Sequence, residues 1–452
     1  MVFVYLSVPE GRSLDVDEVL KVIREPEEAP PHYTVRVMRQ GDIPRDQKWI
    51  NFIFRPEDVL EELEQKTIKM GELFEPSRGN YGYAIWALCH GRRPDIGAKN
   101  FFYLTEERAK ELGLMGYVHP AITSARYAKW FTFTKADWEA LRERGSPCYF
   151  FVCHKPRDEL PDNVREYIRW GEPVCPECGS RNIEPVRAPE FRCRDCGAHF
   201  EKCITQIRGT RGGGRICSQA LACQERERQR EYFYGWYDLG GIENAPIMAI
   251  YQSRYKTRFF WCKHPVVTYH AIITFIPKAE LTESQVKALL AYLNSSFTQL
   301  YIEAKGRTTG AVGPIALEAS QAQEIPVIDP RAFDEKALAK LVTLFDKLER
   351  RARELGGADR RENIMELWDT VIAEIDYKVA EILGLPEALA DMARQLAKTM
   401  MERRLARAEE ARPGALRGTE EPLTKTRKKR KKRRRKKGGR SSESSMSLME
   451  FM

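Results

Sequence analysis

Four cysteines fall in two matching knuckles, Cys175-Pro-Glu-Cys178-Gly and Cys193-Arg-Asp-Cys196-Gly, with 14 residues between them. A Cys-x-x-Cys turn brings two sulfurs within reach of one cation, and the glycine that follows permits the tight backbone. Two such turns supply the four soft ligands that zinc takes in tetrahedral structural sites, at the separation of a zinc ribbon. A redox dithiol is the competing reading, but such pairs occur singly at a strand-to-helix junction. The expectation is a structural zinc site made by Cys175, Cys178, Cys193 and Cys196. Four protein thiolates leave no open coordination position, so this metal would stiffen an insert over residues 171–203 that is too short to fold unaided. Cys203, Cys217 and Cys223 follow at irregular spacing and read as buried or free thiols. The total of 11 cysteines is odd, and with four in metal spacing it fits a reducing compartment better than a disulfide framework.

A second kind of chemistry lies in two segments far apart in the chain. One runs from Gly91-Arg92-Arg93 through Gly97-Ala98-Lys99-Asn100-Phe101-Phe102 to Thr105. The other runs Leu293-Asn294-Ser295-Ser296-Phe297, then Tyr301 to Gly310 with Lys305, Gly306, Arg307 and Thr308. Both mix glycine, cations, amides and hydroxyls beside aromatics, which suits a surface meeting a phosphate backbone and base edges. Arg92, Arg93, Lys99, Lys305 and Arg307 are candidates to neutralise phosphates or fork onto guanine, and Thr308 extends that set. Asn100 and Asn294 pair with adenine edges or cap backbone. Phe101, Phe102 and Trp236 read as core. The loop Arg208-Gly-Thr-Arg211-Gly-Gly-Gly-Arg215 is a phosphate-contact candidate through Arg208 and Arg211, or a plain connector.

Charge has to be read locally. The net charge is +9, but Lys425–Arg440 alone holds 13 Lys or Arg. Removing those 13 from the 74 basic residues leaves 61 against 65 acidic, or −4. A nucleic-acid face on the folded part must therefore be a local patch, while the tail attracts polyanions without choosing a sequence.

Taken in order, these segments resemble the target-recognition half of the adenine-N6 DNA methyltransferases of restriction–modification systems, the Eco57I/TaqI-like family. Arg78-Gly79, Gly97 to Phe102 and Leu104-Thr105 resemble the entry of that domain. His119-Pro120-Ala121-Ile122 and Ser124-Ala125-Arg126 resemble its next element. Trp138, Tyr149-Phe150, Tyr167-Ile168 and Gly171-Glu172 follow, then Arg228, Trp236-Tyr237 and Leu239. Leu289 to Asn294, Tyr301, Gly306-Arg307 and Gly310 resemble the closing helix and loop, and Leu317-Glu318 with Ile325-Pro326-Val327 the edge strand after it. The resemblance runs over roughly residues 1–400. It implies binding of double-stranded DNA for methylation with S-adenosylmethionine.

The catalytic half that the resemblance implies is not visible. An Asn/Asp-Pro-Pro-Tyr/Phe motif would hold the flipped adenine, its amide taking the amino hydrogens and its aromatic stacking on the base. The nearest string, Ala29-Pro30-Pro31-His32-Tyr33, lacks the amide and carries an extra histidine. No glycine-rich cofactor loop follows an early strand, and Gly306–Gly313 comes after a helix. Val2–Glu25 resembles the last strand and helix of the family's catalytic domain, and Thr34–Phe54 the hairpin leading to recognition. No catalytic residue is therefore assigned. S-adenosylmethionine is expected only through a separate methyltransferase catalytic subunit. The chain reads as a split subunit, a stand-alone specificity protein or a truncated frame. Glu303-Ala304-Lys305 has the Glu-x-Lys form of restriction nucleases but lacks an upstream Pro-Asp at a fitting distance, which disfavours two-metal cleavage. The alternative function is a non-enzymatic zinc-ribbon nucleic-acid-binding protein.

The elements that must position these residues make an α+β fold. Residues 1–70 are expected to hold the catalytic-domain remnant and linker hairpin, and 71–332 a mixed recognition domain with the zinc-ribbon insert. Residues 333–410 form a helical region, and 411–452 a disordered basic tail. Strands are expected at Tyr33–Val37, Trp49–Phe54, Phe233–Leu239, Ala249–Tyr251, Arg258–Trp261 and Tyr269–Ile276. Helices are expected over 56–69, 106–112, 135–143 and 282–293, the last with Thr282 as N-cap ahead of Gln285. Further helices are expected over 334–355, 361–383 and 387–407, with Gly384 as a C-cap. No run of about 18 apolar residues occurs, and Met1–Leu6 lacks a basic leader and cleavage site. The expected location is cytoplasmic, on the nucleoid.

Overall fold

The computed structural model describes residues 2–7, 15–30, 34–39, 48–78, 101–171, 175, 177–178, 180, 182–187, 190–201, 237–238, 245–308 and 313–410. The described elements lie within one compact unit, Met1–Ala411. Helices and mixed sheets alternate along it, an α+β arrangement.

At its centre is a five-stranded sheet in the order Phe74–Arg78, Ile272–Pro277, Ile247–Ile250, Phe259–Cys262, Thr132–Phe133. All neighbours are antiparallel except the last pair. Strand side chains alternate faces, and here both faces are dry. Ile247, Ala249, Phe259, Trp261, Ile273 and Phe275 point into one core, while Met248, Ile250, Phe260, Cys262 and Ile272 point into another. Burial on both sides explains why these strands read as unbroken apolar runs rather than as alternating ones.

The second core is aromatic. A four-stranded sheet ordered Val267–Thr268, Val118–Ile122, Tyr149–Phe151, Tyr103–Leu104 brings Phe101 over Tyr167 at 4.7 Å and Phe102 over Phe150 at 5.5 Å between ring centroids. The Tyr167 hydroxyl donates to the Phe101 carbonyl. The helix Lys135–Glu143 begins at a reciprocal cap, with Thr134 N donating to Asp137 at 2.9 Å and Asp137 N to Thr134 Oγ1 at 3.3 Å. Phe101 and Phe102 are fully buried, as expected of core residues.

The first core is helical on its outer side. Glu283–Leu293 starts at the expected Thr282/Gln285 box. Ser296–Lys305 follows at once and is buried along its length as far as Ala304. Glu335–Glu354, Arg361–Asp369, Val371–Leu383 and Glu387–Glu410 wrap these two, so the helical region shares its core with the sheet. Gly384 closes its helix with φ of +65°, a left-handed conformation that costs glycine little.

Three expectations need correction. Trp49–Phe54 is a helix, not a strand. A short apolar run does not separate the two by periodicity, and Asn51 donates into the core to the Ala304 carbonyl at 3.3 Å. The stretch 56–69 is a helix only over Glu57–Glu64, after which Ile68–Lys69 pairs with Pro326–Val327. The helix expected over 361–383 breaks at Thr370, whose φ of −114° and ψ of −95° leave the helical region. Its hydroxyl donates back to Glu366 O at 2.7 Å, a local bond that competes with regular helix geometry. The strand expected at Phe233–Leu239 falls outside the described residues except for Tyr237 and Asp238, where the chain turns.

Near the N-terminus, Val2–Ser7 and Thr34–Arg39 pair as an antiparallel ribbon, and the helix Val16–Arg24 between them in sequence is capped by Asp15. Val22 is buried there but belongs to neither core, and Val16, Leu20 and Ile23 are exposed. Among the described residues no helix is long and apolar enough to cross a membrane.

Candidate metal centre and recognition residues

Cys175, Cys178, Cys193 and Cys196 converge, their four sulfurs lying within 4.8 Å of one another. Cys175 Sγ is 3.6 Å from Cys196 Sγ, and Cys178 Sγ is 3.6 Å from Cys193 Sγ. A tetrahedron with zinc–sulfur arms near 2.3 Å has corners about 3.8 Å apart, so the cluster fits one metal ion of that size. Such sulfurs are far from the roughly 2 Å of a disulfide. Cys175 and Cys193 are buried, and Cys178 and Cys196 face outward.

The local sequence builds this geometry. Cys175 N donates to Ser180 O at 2.7 Å and Cys193 N to Ala198 O at 2.8 Å, closing each knuckle. Gly197, with φ of +75°, makes the second turn possible. Asp195 ties the knuckles together, accepting from Asn182 Nδ2 at 2.7 Å and from the Ser180 hydroxyl. The strands Ile183–Arg187, Glu190–Cys193 and His199–Glu201 form an antiparallel sheet beneath. Glu184 there accepts from Arg192 Nε at 2.8 Å and Arg194 Nε at 2.7 Å. The Cys196 amide donates to the Cys193 sulfur and, against partial desolvation and with help from the Asp195 amide, brings that thiol down to about 7. The neighbouring thiols Cys178 and Cys196 shift the other way, up from the ordinary value, and a metal displaces such protons as it binds.

The candidate DNA-contacting residues separate. Arg92, Arg93, Lys99, Asn100, Arg208 and Arg211 lie outside the described residues, as do Trp236, Cys203, Cys217, Cys223 and the basic tail. Asn294 is fully buried, its Oδ1 accepting from Phe259 N at 3.1 Å and its Nδ2 donating to Phe259 O at 2.8 Å and Leu290 O at 2.9 Å. Its amide is spent on backbone and has nothing to offer a base; of the two readings, the capping one holds. Lys305, Arg307 and Thr308 are exposed where the buried helix emerges. Gly306 makes the exit possible, since a Cβ there would sit 2.5 Å from Ile302 O.

Glu303 is equally committed. Arg404 Nε and Nη2 reach its two carboxylate oxygens at 3.0 and 2.8 Å, and Gln299 Nε2 donates at 3.0 Å. The Glu303-Ala304-Lys305 string is a packing element, with Glu303 facing the interior and Lys305 facing solvent.

Around Arg307 the structure adds residues that sequence alone did not single out for this role. Tyr251, Glu318 and Arg78 come from three distant segments and gather beside it. The pairing of the short strands Gln252–Ser253, Ile315–Ala316 and Arg307–Thr308 brings Tyr251 and Glu318 to Arg307, and the pairing of Phe74–Arg78 with Ile272–Pro277 brings Arg78.

Residues 96–174 match the family model of the C-terminal domain of the type II methyltransferase M.Eco57I. That stretch holds most of the aromatic core described above. Among solved structures, the type IIG restriction endonuclease BpuSI aligns with 90% of this chain and 40% of its own, at 12% identity and a TM-score of 0.45. This chain thus spans 40% of that enzyme's length. No curated protein matches.

Proposed function

We propose that this chain recognises a short duplex DNA sequence for adenine-N6 methylation in a restriction–modification-like system. The methyl transfer from S-adenosylmethionine is carried out by a catalytic module in trans. The observation that carries this reading is the match of residues 96–174 to a methyltransferase C-terminal domain. These residues hold neither the base-flipping motif nor a glycine-rich cofactor loop, and the reading places that chemistry outside them.

On this reading the chain's own residues bind and orient. Lys305, Arg307 and Thr308 present charge and a hydroxyl at an exposed hairpin, and Arg92, Arg93, Lys99, Asn100, Arg208 and Arg211 complete the contact set from their sequence character. The four cysteines hold zinc as a structural ion in a zinc ribbon, which holds the two knuckles in place.

The test uses labelled S-adenosylmethionine and genomic DNA, with this protein alone, then mixed with the product of the adjacent gene. Methylation only in the mixture supports the reading. No methylation in either case, with sequence-independent binding of RNA and DNA alike, would favour a zinc-ribbon nucleic-acid-binding protein. Methylation by the chain alone would sink the assignment to a partner.

A further inference from the structure

Arg307 is half exposed, yet its guanidinium is fixed. Nε donates to Glu318 Oε1 at 2.8 Å, and Nη2 lies 2.7 Å from the same oxygen. Nη2 also donates to the Tyr251 hydroxyl at 2.9 Å, which in turn donates to Glu318 Oε1 at 2.6 Å. Arg78 lies across the Tyr251 ring, 3.7 Å from its centroid, and donates to His270 O at 3.1 and 3.3 Å. The ring that accepts Arg307 is therefore itself pinned.

A guanidinium has two edges that can meet a ligand with paired N–H groups. The Nε/Nη2 edge is taken by Glu318. The Nη1/Nη2 edge needs Nη2, which is taken by Tyr251 as well. Among the described residues Nη1 alone carries no partner. Guanine O6 and N7 require two parallel donors, whereas a phosphodiester oxygen is satisfied by one charged donor.

We infer that Arg307 contacts a DNA phosphate through Nη1, and that Glu318 and Tyr251 are positioning residues that hold it there and withhold it from base reading. The inference rests on the proposal that this chain binds duplex DNA. It assigns Arg307 to register and affinity, and leaves sequence choice to other residues.

The experiment measures binding of the full chain to a duplex selected from a random pool and to a scrambled duplex, across a salt series. Melting curves check that each variant is folded. Arg307→Ala is expected to weaken both duplexes by the same factor, on the order of five-fold, and to lower the salt slope by about 1. Arg307→Lys is expected to restore the slope. Glu318→Gln removes a negative charge, which would tighten binding if that carboxylate merely screened the site; as a positioning residue, its loss weakens binding instead. Three results would each overturn the inference: a changed preference between the duplexes in Arg307→Ala, an unchanged affinity and slope, or tighter binding by Glu318→Gln. Wild-type protein that binds neither duplex would overturn the DNA-binding reading itself.

Discussion

Arg404 meets Glu303 with both ends of its fork, Nε to Oε2 at 3.0 Å and Nη2 to Oε1 at 2.8 Å, where both side chains are almost fully buried. The same guanidinium donates to the carbonyls of Arg254, at 3.0 Å, and Gly313. One residue of the last described helix thus closes a ring with the buried Ser296–Lys305 helix and the chain segments beside it. Breaking such a pair leaves a lone buried carboxylate, a cost of about 3–5 kcal/mol. Arg404→Met should lower stability by that much in denaturant titration, and Glu303→Gln added to it should recover a large part. Equal stability in the two variants would mean that the lost charge pairing is not the cause.

Asn294→Ala should cost about 2–3 kcal/mol in the same titration, because the Phe259 amide and carbonyl lose their buried partner. DNA affinity per folded molecule should stay at the wild-type level. A selective loss of DNA binding with wild-type stability would restore Asn294 as a contact.

Lys256 is fully buried, and desolvation pushes its pKa down to about 7, with Asp376 opposing. Its folded pKa lies below the unfolded value of 10.5, so between those values the folded state carries fewer protons. The cost of burying the ammonium is present in full below about pH 7 and is relieved as pH rises toward the unfolded value. Stability relative to Lys256→Met should therefore shift in favour of the wild type between pH 6.5 and 9.5. Denaturation midpoints of both proteins at the two pH values check this; a shift the other way would contradict the assigned cause.

Purified protein should carry one zinc per chain by elemental analysis, and cobalt substitution should give the spectrum of a tetrahedral four-thiolate site. Cys193→Ser should abolish both. Retention of stoichiometric metal by Cys178→Ser and Cys193→Ser together would place the metal elsewhere.

Much of this architecture is legible in the residues themselves. The knuckles at Cys175 and Cys193 announce their convergence because a metal dictates spacing, and Thr282 with Gln285 marks a helix start because capping is local. The Trp49–Phe54 run misdirects for the opposite reason, and the burial of Asn294 and Glu303 is not legible at all. An amide beside serines and an acid beside a lysine look exposed in one dimension, and only the packing of distant helices turns them inward. The trio around Arg307 was hidden likewise, since Arg78, Tyr251 and Glu318 become neighbours through strand pairings in two different sheets.

The central sheet divides its side chains strictly between two interiors, Ile247 and Ala249 to one and Met248 and Ile250 to the other. An inserted or deleted residue in that strand would exchange the two sets and spoil both interiors at once. A change of chain length is therefore far better absorbed by the loops that connect these strands than by the strands themselves.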